Sequence, residues 1–339
     1  MNPYNTSIKS STSATQPDTL EPPETETETV KNLLTKLSRV RDGLQSVIRG
    51  KQGVIDFVLT AVLAEGSILL EDVPGVGKTT LAKSLASLID LKFQRVQCTP
   101  DLLPADILGS SIYQPGRGTF EFRRGPIFCD LLIADEVNRA SPRTQSALLE
   151  AMAEGQVTVD GHRYALEKPF LVIATQNPSG YEGTFPLPES QLDRFLLRLS
   201  MEYPDHESEI DMLLHQESDD PNFQLKSVMT REDLTNLQQH VRKVQVDRKI
   251  AKYVVDLVTA TRFDDRLRAG CSPRGSKMLL RASQAKALLD GRTFVLPDDV
   301  QSLAAPVMSH RVSLRNASLT TADAIEIQNE IVRQVEVPL

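Results

Sequence analysis

Glu71-Asp72-Val73-Pro74-Gly75-Val76-Gly77-Lys78-Thr79-Thr80 follows an apolar run, Ile68-Leu69-Leu70, and opens a helix-compatible segment from Leu81 to Ile89. A strand feeding a glycine-bearing turn and then a helix is the context of a phosphate-binding loop. Backbone N–H groups of the turn and the positive end of the helix dipole converge there on a polyphosphate. Pro74, Gly75, Val76, Gly77, Lys78, Thr79 and Thr80 would form the cradle. Lys78 would neutralise the β- and γ-phosphates, and the Thr79 hydroxyl would coordinate Mg²⁺. The full pattern, G-x-x-x-x-G-K-[ST], has glycine where this chain has Asp72; Gly75 and the Gly77-Lys78-Thr79 core are intact.

Two further apolar runs end in polar residues. Ile127-Phe-Cys-Asp-Leu-Leu-Ile-Ala134 runs into Asp135-Glu136, the pattern of a buried parallel strand with reactive groups at its carboxyl end. In a nucleotide-hydrolysing fold Asp135 would hold Mg²⁺ and Glu136 would polarise the attacking water. Phe170-Leu-Val-Ile-Ala-Thr175 leads into Gln176-Asn177-Pro178. An amide there would lie beside the γ-phosphate, although an Asn opening a turn before Pro has the same spacing.

Around these runs the chain alternates strand and helix. Phe93–Gln97 reads as a strand, and Ser141-Pro142 reads as a helix start with a serine N-cap, the helix running to about Glu154. Turns at Pro115-Gly116-Arg117-Gly118 and Asp160-Gly161 mark two hairpin-like excursions. Upstream, apolar residues from Val30 to Leu63 fall at helical spacing, with Gly43 and Gly50 as punctuation. Residues 1–29 are rich in Ser, Thr, Pro and Glu and read as a disordered acidic tail. Residues 30–204 then form an α/β unit. Residues 205–339 read as helical segments at Glu207–His215, Arg231–Val241, Arg248–Arg262, Pro273–Leu289, Pro297–Met308 and Ala322–Val335.

The 339 residues give room for two domains with real cores. A net charge of −7 supplies no global field that would draw in nucleic acid or an anionic membrane. The three cysteines, Cys98, Cys129 and Cys271, are scattered, with no C-x-x-C, and fit buried packing in a reducing cytosol. The five histidines have no ligand-like spacing and read as surface or satisfied core residues. Neither a signal peptide nor a membrane-spanning run is present, so a soluble, cytoplasmic protein is expected.

From about residue 35 to 335 the chain resembles the MoxR family of AAA+ ATPases. The resemblance rests on Glu71–Thr79, Thr99-Pro-Asp-Leu-Leu-Pro-Ala-Asp106, Arg124-Gly-Pro-Ile-Phe128 and Ala134-Asp-Glu-Val-Asn-Arg-Ala140. It continues through Ala147–Met152, Ala174-Thr-Gln-Asn-Pro178, Gln191-Leu-Asp-Arg-Phe195 and Gly270-Cys-Ser-Pro-Arg274. It implies an AAA+ P-loop core with a parallel sheet, a C-terminal α-helical lid, and a homo-oligomeric ring, usually a hexamer, with ATP between subunits. Lys78 and Thr79 then belong to Walker A, Asp135 and Glu136 to Walker B. Asn177 stands at sensor 1, Arg194 at the arginine finger and Arg274 at sensor 2. Arg198, four residues beyond Arg194, leaves the finger assignment open between the two. The stretch from Pro104 to Phe122 resembles the family's helix-2 insert, a surface for clients or the pore. Val47–Gly50 falls where the adenine base is bordered, with Lys51 in place of a usual glutamine.

The resemblance implies an Mg²⁺-dependent ATP hydrolase acting as a chaperone-like remodeller. It would activate or assemble a client, insert a metal or cofactor, and work with a von Willebrand factor A domain partner. Two alternatives remain at this stage: a restriction-associated, nucleic-acid-directed AAA+ motor, and a magnesium-chelatase-like subunit. The acidic balance and the lack of a DNA-binding module argue against the first.

Overall fold

Strand β1 (Ile68–Glu71) enters the phosphate-binding stretch from the interior of a five-stranded parallel sheet. The other strands are β2 (Phe93–Gln97), β5 (Leu131–Asp135), β8 (Leu171–Gln176) and β9 (Leu197–Leu199), in the order β2-β5-β8-β1-β9. In the computed structural model, residues 24–177, 183–214, 225–316 and 320–338 are described. Parallel strands with helices on both faces must be apolar on both faces. Here the alternation divides β1, β5 and β8 between two cores. Ile68, Leu70, Leu131, Ile133, Leu171 and Ile173 face one cluster. Leu69, Leu132, Ala134, Val172 and Ala174 face the other. Truncating a fully buried residue such as Leu69, 0% exposed, to alanine would cost about 2–5 kcal/mol.

The first cluster is covered by α1 (Glu24–Val47), α2 (Gln52–Leu63) and α3 (Lys78–Leu88). Helix α1 begins inside the stretch read as a disordered tail, so residues 24–29 are helical; residues 1–23 lie outside the described residues. It also runs through Gly43 rather than stopping there. A Cβ at Gly43 would come within 2.7 Å of Leu88 Cδ2, so the glycine permits α1 and α3 to approach closely. Gly50, at φ 71°, is the true break.

The second cluster lies under α4 (Pro104–Leu108) and α5 (Pro142–Glu154), beside two antiparallel hairpins. These are β3 (Gly109–Gln114) with β4 (Thr119–Arg124), and β6 (Gln156–Val159) with β7 (His162–Ala165). Both turns fall where Pro115–Gly118 and Asp160-Gly161 place them. Phe122 of β4 stacks on Tyr164 of β7 with centroids 4.0 Å apart, tying the hairpins together. Farther out, Tyr113 and Phe120 pair at 5.3 Å and remain 51% and 74% exposed.

Helices α6 (Glu189–Leu192) and α7 (His206–Leu214) flank β9. The C-terminal helices follow: α8 (Arg231–Val241), α9 (Arg248–Phe263), α10 (Pro273–Leu289), α11 (Pro297–Met308) and α12 (Thr321–Gln334). Their bounds match the apolar periodicity closely; the segment end at His215 lies outside the described residues. The region is not purely helical, because β10 (Leu267–Ala269) and β11 (Ser313–Leu314) pair antiparallel. These helices share the first apolar cluster with α1–α3, so packing is continuous across the chain near residue 204. Polar links reinforce it: Gln238 of α8 donates to the Val62 carbonyl at 2.8 Å, and Glu65 accepts from Arg242 at 2.5 Å and Arg281 at 3.1 Å.

Candidate functional site

At the carboxyl ends of β1, β5 and β8 the loop Pro74–Gly77 bends around the N-terminus of α3. Gly75 and Gly77 take φ of 89° and 93°, a left-handed conformation that side-chain-bearing residues rarely adopt. No heavy atom lies within 4 Å of where a Gly75 Cβ would be, so the concave face is open. The cleft measures about 310 Å³ and is lined by Pro74, Gly75, Gly77, Lys78, Thr79, Thr80, Arg95, Gln97, Asp135, Glu136, Thr175 and Asn177. Val76, the remaining loop residue of the expected set, is not in that lining and packs against the apolar cluster instead.

Lys78 Nζ donates to the carbonyls of Asp72 at 2.7 Å and Val73 at 3.2 Å. Burial pulls its ammonium below the ordinary lysine range, while Asp72, Asp135 and Glu136 pull the other way. Asp72, the departure from glycine, is 5% exposed and acts as a tether. It accepts from Ser200 Oγ at 2.6 Å, Met201 N at 2.7 Å and Glu202 N at 3.0 Å. The loop entrance is thereby fixed to the strand exit after β9.

Across the cleft, Thr79 Oγ1 lies 3.4 Å from Asp135 Oδ2. Two hard oxygens converging at the foot of a phosphate cradle suit Mg²⁺, which takes few protein ligands and shares phosphate oxygens. Among the described residues no group of three or more His, Cys, Asp and Glu is placed to hold a metal by itself. Asp135 also accepts from Thr175 Oγ1 at 3.3 Å and from Arg95 Nε at 2.6 Å. Glu136 sits just past β5 with φ 56°, a strained setting for a residue with a side chain. Its N–H donates to Thr175 Oγ1 at 2.9 Å. Its carboxylate accepts from Asn177 Nδ2 at 3.3 Å and from Arg139 Nη1 at 3.0 Å.

The three arginines singled out in the sequence lie outside this cleft. Arg198 is 13% exposed and ion-paired with Glu71; it also donates to Thr321 Oγ1 at 2.7 Å, so it is committed within its own chain. Arg194 donates to the Leu149 carbonyl of α5 at 3.2 Å and has no carboxylate partner among the described residues. Arg274, at the start of α10, lies 3.7 Å from Asp193 Oδ2 and is 48% exposed.

Several site residues were not found from the sequence. Arg95 and Gln97 flank buried Val96 on β2, and their approach to Asp135 follows from strand order, which spacing along the chain does not reveal. Thr175 was read as strand core, yet its hydroxyl links Asp135 to the Glu136 backbone. Met201 comes within 3.9 Å of where a Gly77 Cβ would be, and Ile48, from the Val47–Gly50 stretch expected at the adenine border, within 3.7 Å, so that the two form an apolar border to the loop. Lys51 donates to the Tyr203 carbonyl at 2.7 Å beside it.

A family model described as ATPase family associated with various cellular activities (AAA) matches residues 67–197, and an AAA lid domain model matches residues 259–331. A crystal structure of a Cytophaga hutchinsonii protein is similar at a TM-score of 0.84 and 37% identity, covering 93% of this chain and 99% of that one. Chaperone MoxR1 of Mycobacterium tuberculosis is 37% identical over 89% of this chain and 82% of its own length. The chain belongs to the MoxR family of AAA+ ATPases. YeaC of Bacillus subtilis, an uncharacterized protein, is 48% identical over 89% of this MoxR-family chain and 95% of its own. The expected architecture, a parallel-sheet AAA+ core followed by a lid, is the one observed. All three cysteines are buried and free, their thiols pushed up mainly by burial to about 12, 12 and 11 for Cys98, Cys129 and Cys271. They lie outside the cleft lining. Buried His310 departs from the satisfied-core reading, since its Nδ1 has no partner among the described residues. No helix among the described residues is long and apolar enough to cross a membrane.

Proposed function

We propose that this MoxR-family ATPase is a Mg²⁺-dependent ATP hydrolase that remodels a protein client in the cytoplasm. One observation carries the reading: Lys78, Thr79, Asp135, Glu136 and Asn177 line one cleft at the mouth of a glycine-bent loop. The loop N–H groups and Lys78 would bind the β- and γ-phosphates. Thr79 and Asp135 would hold Mg²⁺, which would supply charge neutralisation on those phosphates. Glu136 would accept a proton from the attacking water, held in line by Asn177 on one oxygen and Arg139 on the other. Ile48 and Met201 offer the apolar border a purine would need.

Residues 30–204 would act as the nucleotide-binding unit and 205–339 as its lid, in a homo-oligomeric ring, taken as a hexamer. Arg194 would reach the neighbour's γ-phosphate; its single carbonyl contact is readily exchanged, whereas Arg198 is held by Glu71. Arg274 would report nucleotide state from the lid. The exposed Tyr113–Phe120 pair would meet the client, which we take to be a protein or complex activated or assembled with a von Willebrand factor A domain partner, including by metal or cofactor insertion. The chaperone name of the mycobacterial relative supports this class of action.

Affinity capture from the native host with Glu136→Gln protein and ATP tests the client reading. Recovery of a von Willebrand factor A protein or a metalloenzyme subunit supports it. Recovery of nuclease subunits or DNA overturns it.

A further inference from the structure

The segment Asp193-Arg194-Phe195-Leu196 is gripped from the C-terminal helices. Arg311, in the single turn after α11, has a side chain 0% exposed, and its Nε lies 3.1 Å from Asp193 Oδ1. Its Nη1 donates to the Leu196 carbonyl at 3.2 Å. Its Nη2 donates to the carbonyls of Asp193, at 3.4 Å, and Phe195. His310 Nε2 is 3.1 Å from the same Phe195 carbonyl. A guanidinium fork so thoroughly buried is costly unless its donors are matched; here four contacts go to one short stretch of chain, and the Val307 carbonyl and Met278 Sδ hold the fork on its own side. Burial lowers the Arg311 pKa to about 10, so the group still carries its charge at neutral pH. Arg274 meets the second oxygen of the same carboxylate at 3.7 Å.

We propose that Asp193 is the positioning residue for Arg194: clamped by Arg311, it fixes the segment from which Arg194 projects. A subunit's own lid thereby sets whether its arginine reaches the neighbouring site. The inference rests on the reading of Arg194 as the finger. Arg194 itself is tied to its subunit by one neutral acceptor, the Leu149 carbonyl, so its aim depends on the backbone that carries it. That backbone is held on three of its carbonyls and one carboxylate by Arg311. Movement of α10 and α11 would drag Asp193 with it.

The test is complementation between full-length subunits, with ring formation followed by co-purification of two tags and native mass spectrometry. Asp193→Asn should bind a fluorescent ATP analogue as the unaltered protein does, yet hydrolyse ATP far more slowly, with the loss in kcat and not in KM. Its site is intact and only its finger is misaimed. Mixed with Lys78→Ala subunits it should therefore regain turnover severalfold, because those subunits bring an aimed arginine. Mixed with Arg194→Ala it should regain nothing, because both partners lack the same function. Arg311→Lys, which keeps the charge and loses the fork, should follow the same pattern. Rescue by Arg194→Ala, or no rescue by Lys78→Ala in rings that demonstrably mix, would overturn the positioning role. Failure of the Arg194→Ala and Lys78→Ala pair to complement would instead remove the finger reading beneath it.

Discussion

Arg95 Nε lies 2.6 Å from Asp135 Oδ2, so the carboxylate proposed to hold Mg²⁺ already has a cation from the next strand. The arginine is 50% exposed and the aspartate 8%. Such a pair neutralises a buried charge while leaving the arginine free to swing toward solvent.

Arg95 and the metal should therefore compete. Half-exposed ion pairs contribute about 0.2–1 kcal/mol, so Arg95→Met should lower the Mg²⁺ concentration for half-maximal ATPase by about 1.4- to fivefold. Titration of the rate with Mg²⁺ at saturating ATP measures this. A rise in the required concentration would mean that Arg95 organises the site instead of guarding it.

Asp72→Gly would restore the full phosphate-loop pattern, yet it should harm the protein. The N–H groups of Met201 and Glu202 and the Ser200 hydroxyl would lose their acceptor. Each buried donor left unpaired costs about 1–3 kcal/mol, so denaturant unfolding should show a loss of at least that size. Unchanged stability would mean the tether is idle.

That tether shows where reading along the chain stops. The phosphate loop, the Asp135-Glu136 strand end and six C-terminal helices were legible because each is a local pattern of apolar period and turn chemistry. Asp72 looked like a tolerated departure because its partners lie near residue 201. Arg95 was invisible for the same reason: its meaning comes from β2 lying beside β5. Gly43 read as punctuation because propensity favours that, whereas the close crossing with Leu88 decides its place. Arg198 carries an ion pair to Glu71, 127 residues away along the chain, which spacing around Arg194 and Arg198 does not reveal.

Arg194→Ala should leave nucleotide binding intact and slow hydrolysis by about a thousandfold or more, the scale of arginine fingers in phosphoryl transfer. Steady-state ATPase against equilibrium binding separates the two effects. An equal loss of binding would place Arg194 in its own subunit's cleft.

Tyr113→Ala combined with Phe120→Ala removes an exposed aromatic pair that is not part of the cleft lining. Client capture should weaken by about tenfold or more, as truncation of aromatic anchors does, while basal ATPase should stay within about twofold, as for other surface changes. Parallel loss of both would show that the hairpin supports the site.

The most direct measurement is single-turnover hydrolysis by Glu136→Gln alongside its ATP affinity. The amide keeps the contact to Asn177 but cannot take a proton. ATP should bind normally while the rate falls by about 10²–10⁴-fold, the share of a positioned general base. Hydrolysis at the unaltered rate would contradict the assignment of Glu136, and with it the account of how this cleft turns over ATP.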